Sequence, residues 1–325
     1  MGREFEVITR LAVRFGRSGP GVELGIGSDC AILSAPPAPQ IISIDTLIEG
    51  VHFDTRFMTF EDAGYRAVTT CLSDLAAGGA DPSLPLIALA ALTIRRDMDD
   101  SSLRALENGV AQAFDEFKVT LAGGDTVVAP GPLALTFTVI GYAPKPLTRS
   151  GAKPGHSVMV VGYLGGAGAG LRLLQKCRAA NNDEGLFSTY RRPRPLLELG
   201  FRLAEIGASA CADVSDGLLA DAGHIAEQSG LGMTLDLDAI PMHPDLAGHL
   251  DFSDDKRMEL AATFGDDYAL VFTCAPDREK AMLDSAKKRG LPCAKIGECS
   301  QDQAGCVKAS WRDKPFNPAQ KGYEH

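Results

Sequence analysis

The chain has 325 residues, 45% of them hydrophobic and 23% charged, with a formal net charge of -10, which is enough for two domains with separate cores. The acidic balance excludes a nucleic-acid binder that works through a basic face, and no apolar run reaches the roughly 18 residues that a bilayer-crossing helix needs. The opening Met1-Gly2-Arg3-Glu4-Phe5-Glu6 lacks a signal-peptide core and the eight cysteines form no C-x-x-C pair, so a cytoplasmic protein with reduced cysteines and no membrane contact is expected. Glycine, at 35 residues, is the one excess, and it implies many tight turns or close backbone approaches to a ligand.

Taken in chain order, Phe5, Ile8, Leu11, Ala12 and Phe15 recur at helical spacing and predict a short amphipathic helix. The stretch Gly25-Ile26-Gly27-Ser28-Asp29-Cys30-Ala31 and the β-branched run at 40–46 follow, and each sets an acid, Asp29 or Asp45, at the edge of an apolar segment. Thr59-Phe60-Glu61-Asp62 has the form of a capping box and starts a helix to about Gly78. Tyr65, Val68, Leu72 and Leu75 make its core stripe, while Ala63, Ala67, Cys71 and Asp74 line a flank of small residues that admits a neighbouring backbone. Residues 84–93 read as a strand, 101–118 as a helix, and 119–122 as a short strand that breaks into Gly123-Gly124-Asp125-Thr126. A longer strand over 133–142 closes the first half.

The Pro-, Gly- and Lys-containing stretch 144–155 has the composition of a linker. It divides the chain into an N-terminal domain over 1–143 and a C-terminal α/β domain over 156–325. In the second half, strands are expected at 157–162, 210–214, 231–237, 268–274 and 293–296. Helices are expected after Gly162 to about Cys177, at 195–206, after Gly217 through His224, and near 255–262 and 277–289, with 181–185 a surface loop. Strands interleaved with helices in both halves predict an α/β (α+β) protein.

Two tempting motifs fail. The glycines of 162–170 do not fit G-x-G-x-x-G, and Leu171 stands where a phosphate-binding loop needs lysine, so a tight strand-to-helix turn packed against a neighbour is expected. Asp213-Val214-Ser215-Asp216-Gly217 resembles a hydrolase nucleophile elbow, but the elbow needs glycine at position 213. What remains is a set of acids at strand or helix ends: Asp29, Asp45, Asp74, Asp125, Asp213 and Asp216. Each alone fits ordinary turn or capping chemistry. Together, hard oxygen donors without a Cys or His cluster favour magnesium, which binds through a few carboxylates plus substrate phosphates, so a platform for a nucleoside triphosphate is the alternative.

The motifs also carry a family resemblance. The segments 22–31, Leu72-Ser73-Asp74-Leu75-Ala76-Ala77-Gly78-Gly79-Ala80-Asp81-Pro82, Gly123-Gly124-Asp125-Thr126, 147–155, Asp213-Val214-Ser215-Asp216-Gly217-Leu218, Gly265-Asp266-Asp267-Tyr268 and the ending Lys321-Gly322-Tyr323-Glu324-His325 together resemble thiamine-monophosphate kinase. That family belongs to a superfamily with aminoimidazole ribonucleotide synthetase and selenophosphate synthetase. The resemblance implies transfer of a phosphoryl group from ATP to thiamine monophosphate, with several Mg2+ ions held by Asp29, Asp45, Asp74, Asp125, Asp213 and Asp216 and supported by Ser43. It implies nucleotide contacts at Gly124, Asp125, Arg149 and Ser215, substrate contacts at His52, Asp266 and Tyr323, and catalytic weight on Asp45, Asp125 and Arg149. It also implies a homodimer that pairs N-terminal sheets. Other ATP-dependent activities of the superfamily, or nucleotide binding without catalysis, are the alternatives. The chain departs from the family pattern at Ser28, Ile44, Phe264 and Asp266, where aspartate, a hydroxyl residue, glycine and glutamate are usual, and a shift in metal or substrate affinity without loss of turnover is expected.

Overall fold

The computed structural model describes the chain except for residues 1–2, 17, 27–29, 37, 177–182, 302–304 and 324–325. The chain forms two compact units, Met1–Leu75 with Ala80–Pro144, and Ala76–Gly79 with Lys145–His325. The expected two-domain α/β architecture is found, with sheets that are mixed and mainly antiparallel. Among the described residues, no helix is long and apolar enough to cross a membrane.

In the first unit, α1 (Arg3–Phe15) and the small pair β1 (Val22–Leu24) and β2 (Ile32–Leu33) precede β3 (Gln40–Ile48), α2 (Phe60–Ala77), β4 (Leu86–Arg95), α3 (Asp100–Phe117), β5 (Val119–Ala129) and β6 (Ala134–Tyr142). The sheet order is β3-β6-β4-β5. Only β4 and β5 run parallel within it, because α3 supplies the long crossover that a parallel pair requires. Thr59 caps the helix: Asp62 N donates to Thr59 Oγ1 at 3.0 Å, and that hydroxyl donates to Asp62 Oδ2 at 2.7 Å, which replaces the backbone bond of a full capping box. A Cβ on Gly109 would lie 1.8 Å from Glu61 O, so α2 and α3 cross backbone against backbone. Phe114 of α3 meets Phe137 of β6 edge-on at 6.1 Å, which sets the helices on one face of the sheet. The opposite face leaves Ile42 and Ile44 62% and 63% exposed. The break expected at Gly123-Gly124 does not occur. β5 runs through it, and an irregularity in the β4–β5 register between Ala88 and Leu89 absorbs the misfit.

The second unit is built on a seven-stranded sheet of β7 (Ser157–Val161), β8 (Ala208–Asp213), β9 (Gly232–Asp236), β10 (Leu270–Cys274), β11 (Cys293–Ser300), β12 (Val307–Trp311) and β13 (Lys314–Pro315), in the order β13-β12-β9-β11-β7-β10-β8. β7 and β10 are buried along their whole length, as continuous apolar runs at a sheet centre should be. Helices α4 (Gly166–Gln175), α5 (Glu184–Arg191), α6 (Leu197–Ile206), α7 (Leu218–Ser229), α8 (Pro244–Ala247), α9 (Asp254–Thr263) and α10 (Glu279–Lys287) complete it. One core joins α7 to the sheet through Val160, Ala212, Leu219, Ile225 and Val271; a second gathers Leu173, Phe187, Leu246 and Leu260 from α4, α5, α8 and α9. The Pro- and Gly-rich stretch 145–155 counts with this unit. Cys211 N donates to Thr148 O at 2.9 Å, and Ala152 is buried. Of the loop expected at 181–185, Asn181 and Asn182 lie outside the described residues, while Glu184 and Gly185 open α5.

Candidate active site

In the first unit, β3 and α2 bring three of the expected donors together. Alternation along β3 turns Ser43, Asp45 and the buried Leu47 to the helix side of the sheet. There Ser43 Oγ donates to Asp74 Oδ2 at 2.5 Å. Asp45 and Asp74 flank the buried thiol of Cys71, one turn before Asp74 on α2. Burial first, and then these two carboxylates, push that thiol far above its ordinary pKa, and its Sγ donates to Phe137 O at 3.2 Å. The Ser43–Asp74 pair and Asp45, on one side of the sheet, offer hard oxygen donors of the kind that suits magnesium. Asp29 lies outside the described residues.

Asp125 is placed elsewhere in the same sheet. Asp45 stands in register with Phe137, Ala90 and Gly124 across β3, β6, β4 and β5, so three strand spacings, about 14 Å, separate it from Gly124. Asp125 is one residue on, in the row of Thr46, Thr136 and Ala91, and belongs to the open face of the sheet. Its Oδ1 accepts from Thr126 N at 2.9 Å. His52 closes the turn after β3: Ile48 N donates to His52 Nδ1 at 3.0 Å, and His52 N donates to Ile48 O at 2.8 Å. An accepting Nδ1 leaves the proton of the neutral ring on Nε2.

In the second unit, three separate stretches meet at the end of β8. Asp213, buried, is the last residue of that strand. The chain then turns through Val214, Ser215 and Asp216, whose carbonyls accept in sequence from Tyr268 N (3.1 Å), Asp266 N (2.9 Å) and Tyr323 N (2.9 Å). Asp213, Ser215, Asp216, Asp266 and Tyr323 therefore surround one turn, held by backbone bonds that do not depend on their side chains. Tyr268 Oη donates to Asp266 Oδ1 at 3.2 Å. Arg149 lies within electrostatic range of Asp221, the fourth residue of α7, whose Oδ2 accepts from Asp216 N (3.2 Å) and Gly217 N (3.1 Å). Asp221 was not singled out in the sequence. Burial and the neighbouring Asp216 raise its carboxyl to about 7. A carboxylate on an otherwise apolar face of α7 was the available signal.

The glycine-rich turn before α4 is occupied by the protein itself. Asp267 accepts from Gly165 N at 2.5 Å and Ala167 N at 2.9 Å, and so fills the helix N-terminus that a phosphate would need. A Cβ on Gly168 would lie 2.6 Å from the Phe264 ring and one on Gly170 2.2 Å from Leu186 O, so these glycines serve close packing. Burial raises the Asp267 carboxyl to about 7 despite its amide donors. The folded state thus takes up this proton more readily than the unfolded chain, and the group's contribution to stability is complete below about pH 4 and is lost as pH rises through 7. Asp267→Asn forfeits one acceptor at every pH but does not ionise. Its destabilisation, read from urea unfolding, is expected to be largest at pH 5 and smaller at pH 8. A penalty that grows with pH would show that Asp267 is stabilised as the carboxylate.

The sequence matches the AIR synthase related protein N-terminal domain over residues 27–143 and the corresponding C-terminal domain over 153–308. The thiamine-monophosphate kinase of Salmonella typhimurium is 38% identical over 330 residues, with 99% of this chain and 98% of that protein covered. That of Bacillus subtilis is 31% identical over 312 residues, covering 94% of each. Among solved structures, thiamine-monophosphate kinase from Stenotrophomonas maltophilia superposes with a TM-score of 0.83 at 32% identity, covering 97% of this chain and 98% of that one. AaThiL complexed with AMPPCP and TMP superposes with a TM-score of 0.76 at 25% identity, covering 99% and 97%. The hydrogenase maturation protein HypE, at 20% identity and a TM-score of 0.74, shares the fold. Matched along essentially its whole length, the chain belongs to the thiamine-monophosphate kinase family.

Proposed function

We propose that this protein transfers the γ-phosphoryl group of ATP to thiamine monophosphate, in a direct in-line step that yields thiamine diphosphate and ADP. The observation that carries the reading is the convergence of Ser215, Asp216, Asp266 and Tyr323 on one backbone-bonded turn beside Asp213. That turn joins positions matching nucleotide, metal and substrate contacts of the family. The complex of AaThiL with AMPPCP and TMP supports the same pair of ligands here.

Asp29, Asp45 and Asp74, with Ser43, would hold Mg2+ in the first unit, Asp125 a separate ion on the open face of its sheet, and Asp213 and Asp216 one in the second. Bound there, magnesium supplies neutralisation of the polyphosphate charge that resists an anionic nucleophile. Arg149 offers a fixed positive charge to the phosphates, and Gly124, Asp125 and Ser215 line the nucleotide. His52, Asp266 and Tyr323 orient thiamine monophosphate, the exposed Tyr323 ring giving a face to the cationic thiazolium. The acceptor is a phosphate whose second pKa is about 6, so it is already an anion at neutral pH and no side chain need act as general base. Coupled ADP release on adding thiamine monophosphate to protein, ATP and magnesium tests the assignment. ADP release without dependence on thiamine monophosphate would defeat it.

The acting form is a cytoplasmic homodimer. The open face of the first unit's sheet carries Ile42, Ile44, Leu89 and Val127, each more than a third exposed, a surface that a second copy would cover. Asp125 belongs to that face. Ile44→Glu is expected to turn a dimer into a monomer by light scattering with far-UV circular dichroism unchanged. A wild-type monomer at micromolar concentration would rule the arrangement out.

A further inference from the structure

Asp216, Asp221 and His224 make a cluster that the proposed activity uses only through Asp216. One ligand atom from each of the three lies within 4.8 Å of the others. Asp221 and His224 are three residues apart on α7 and share a face of it, while Asp216 comes from the turn just before the helix. The feature that marks the cluster as more than a surface group of acids is Asp221 itself. It is 0% exposed, its Oδ2 is taken by the amides of Asp216 and Gly217, and its Oδ1 has no hydrogen-bond partner. A carboxylate oxygen removed from water and left unpaired calls for an occupant.

We infer that Asp216, Asp221 and His224 bind a divalent first-row transition ion, with Asp221 and His224 as ligands beyond those the family resemblance assigns. An imidazole beside two carboxylates is a softer set than the all-oxygen group at Asp45 and Asp74, and the affinity order of such mixed sites runs well above magnesium chemistry toward manganese and zinc. Three donors about 2.1 Å from a common ion lie about 3.0–3.6 Å apart at bond angles of about 90–120°, so atoms within 4.8 Å of one another need close by about 1–2 Å at most. Asp216 and His224 are half-buried and free to make that adjustment. Arg149, near Asp221, offsets part of the cluster's charge when no ion is bound. Three protein donors leave the remaining positions to water or to a phosphate oxygen.

The inference shares Asp216 with the proposed function but is tested apart from it. Mn2+ binding to the full-length protein is measured by the loss of the free-ion paramagnetic resonance signal, without ATP or thiamine monophosphate and in an Asp45→Asn background that weakens the first unit's acid group. One Mn2+ per chain is expected. His224→Ala and Asp221→Asn should each weaken it at least tenfold, the lower end of what losing even an outer-shell partner costs. Unchanged affinity and stoichiometry in His224→Ala overturns the inference, whatever the kinase assay gives. If either variant fails to melt cooperatively, the wild-type protein decides: Mn2+ should broaden the His224 ring resonance at substoichiometric addition, and an unbroadened ring overturns the inference equally.

Discussion

Asp45→Asn is expected to lower the rate of thiamine-monophosphate-dependent ADP release by at least about a hundredfold, while the metal-free protein melts at the same temperature or higher. The two readouts follow from one geometry. Asp45 of β3 and Asp74 of α2 both lie in electrostatic range of Cys71, and Ser43 ties down Asp74 Oδ2. Two like charges so held repel, and replacing one by a neutral isostere relieves that repulsion in the absence of metal. The same replacement removes a hard anionic donor from the site proposed to hold a cation against phosphate. The resulting loss of charge stabilisation is of the order of 10²–10³ in rate, as for other preorganised electrostatic groups. Magnesium should then raise the melting temperature of the wild type more than that of the variant. A variant that turns over normally, or one that is strongly destabilised without metal, would mean that Asp45 is a structural turn residue and not a ligand.

Much of this was legible in the sequence because the relevant signals are local. Thr59 and Asp62 announce the start of α2 by their spacing, and the side-chain bonds at that end bear it out. The β-branched run at 40–46 announces β3 as a strand, but not its orientation: Ile42 and Ile44 are exposed on the open face while Ser43 and Asp45 turn to the helices. What was not legible depends on long-range pairing. The adjacent acids Asp266 and Asp267 are indistinguishable as letters. In the fold one bonds Tyr268 beside the β8 turn and the other caps α4 about a hundred residues earlier in the chain. Gly123-Gly124 reads as a strand breaker, yet the ladder with β4 carries β5 through it, because edge pairing outweighs local propensity. Likewise α5 begins at Glu184 after an N-cap Asp183 whose side chain makes no cap bond; its buried Leu186 and Phe187 hold it by tertiary packing.

Gly265→Ala should test the second unit's half of the site as sharply as Asp45→Asn tests the first. A Cβ at position 265 would lie 1.7 Å from Ser215 O, 2.6 Å from Ser215 C and 3.0 Å from Asp216 C. All three are backbone atoms, so no rotamer change relieves the overlap. The loop cannot simply retreat, since Asp266 N and Tyr268 N are bonded to the carbonyls of Ser215 and Val214. Asp266 and Tyr268 already hold left-handed backbone, at φ 67° and 49°, and strain of that kind costs of the order of 1–3 kcal/mol per residue and persists only where its surroundings enforce it. Inserting a methyl group there is expected to destabilise the protein by about 1–3 kcal/mol and to part the turn that carries Ser215 and Asp216 from the one that carries Asp266. Affinity for thiamine monophosphate and for ATP should fall together, with kcat/KM down at least about tenfold. A 1 Å misplacement of positioned groups is enough for a loss of that order. Gly248→Ala is the control: a Cβ there meets nothing within 4 Å, and its effect should stay within about 0.5 kcal/mol. Wild-type melting and wild-type kcat/KM in Gly265→Ala would mean that the two turns are not in backbone contact. The convergence on which the proposed activity rests would go with it.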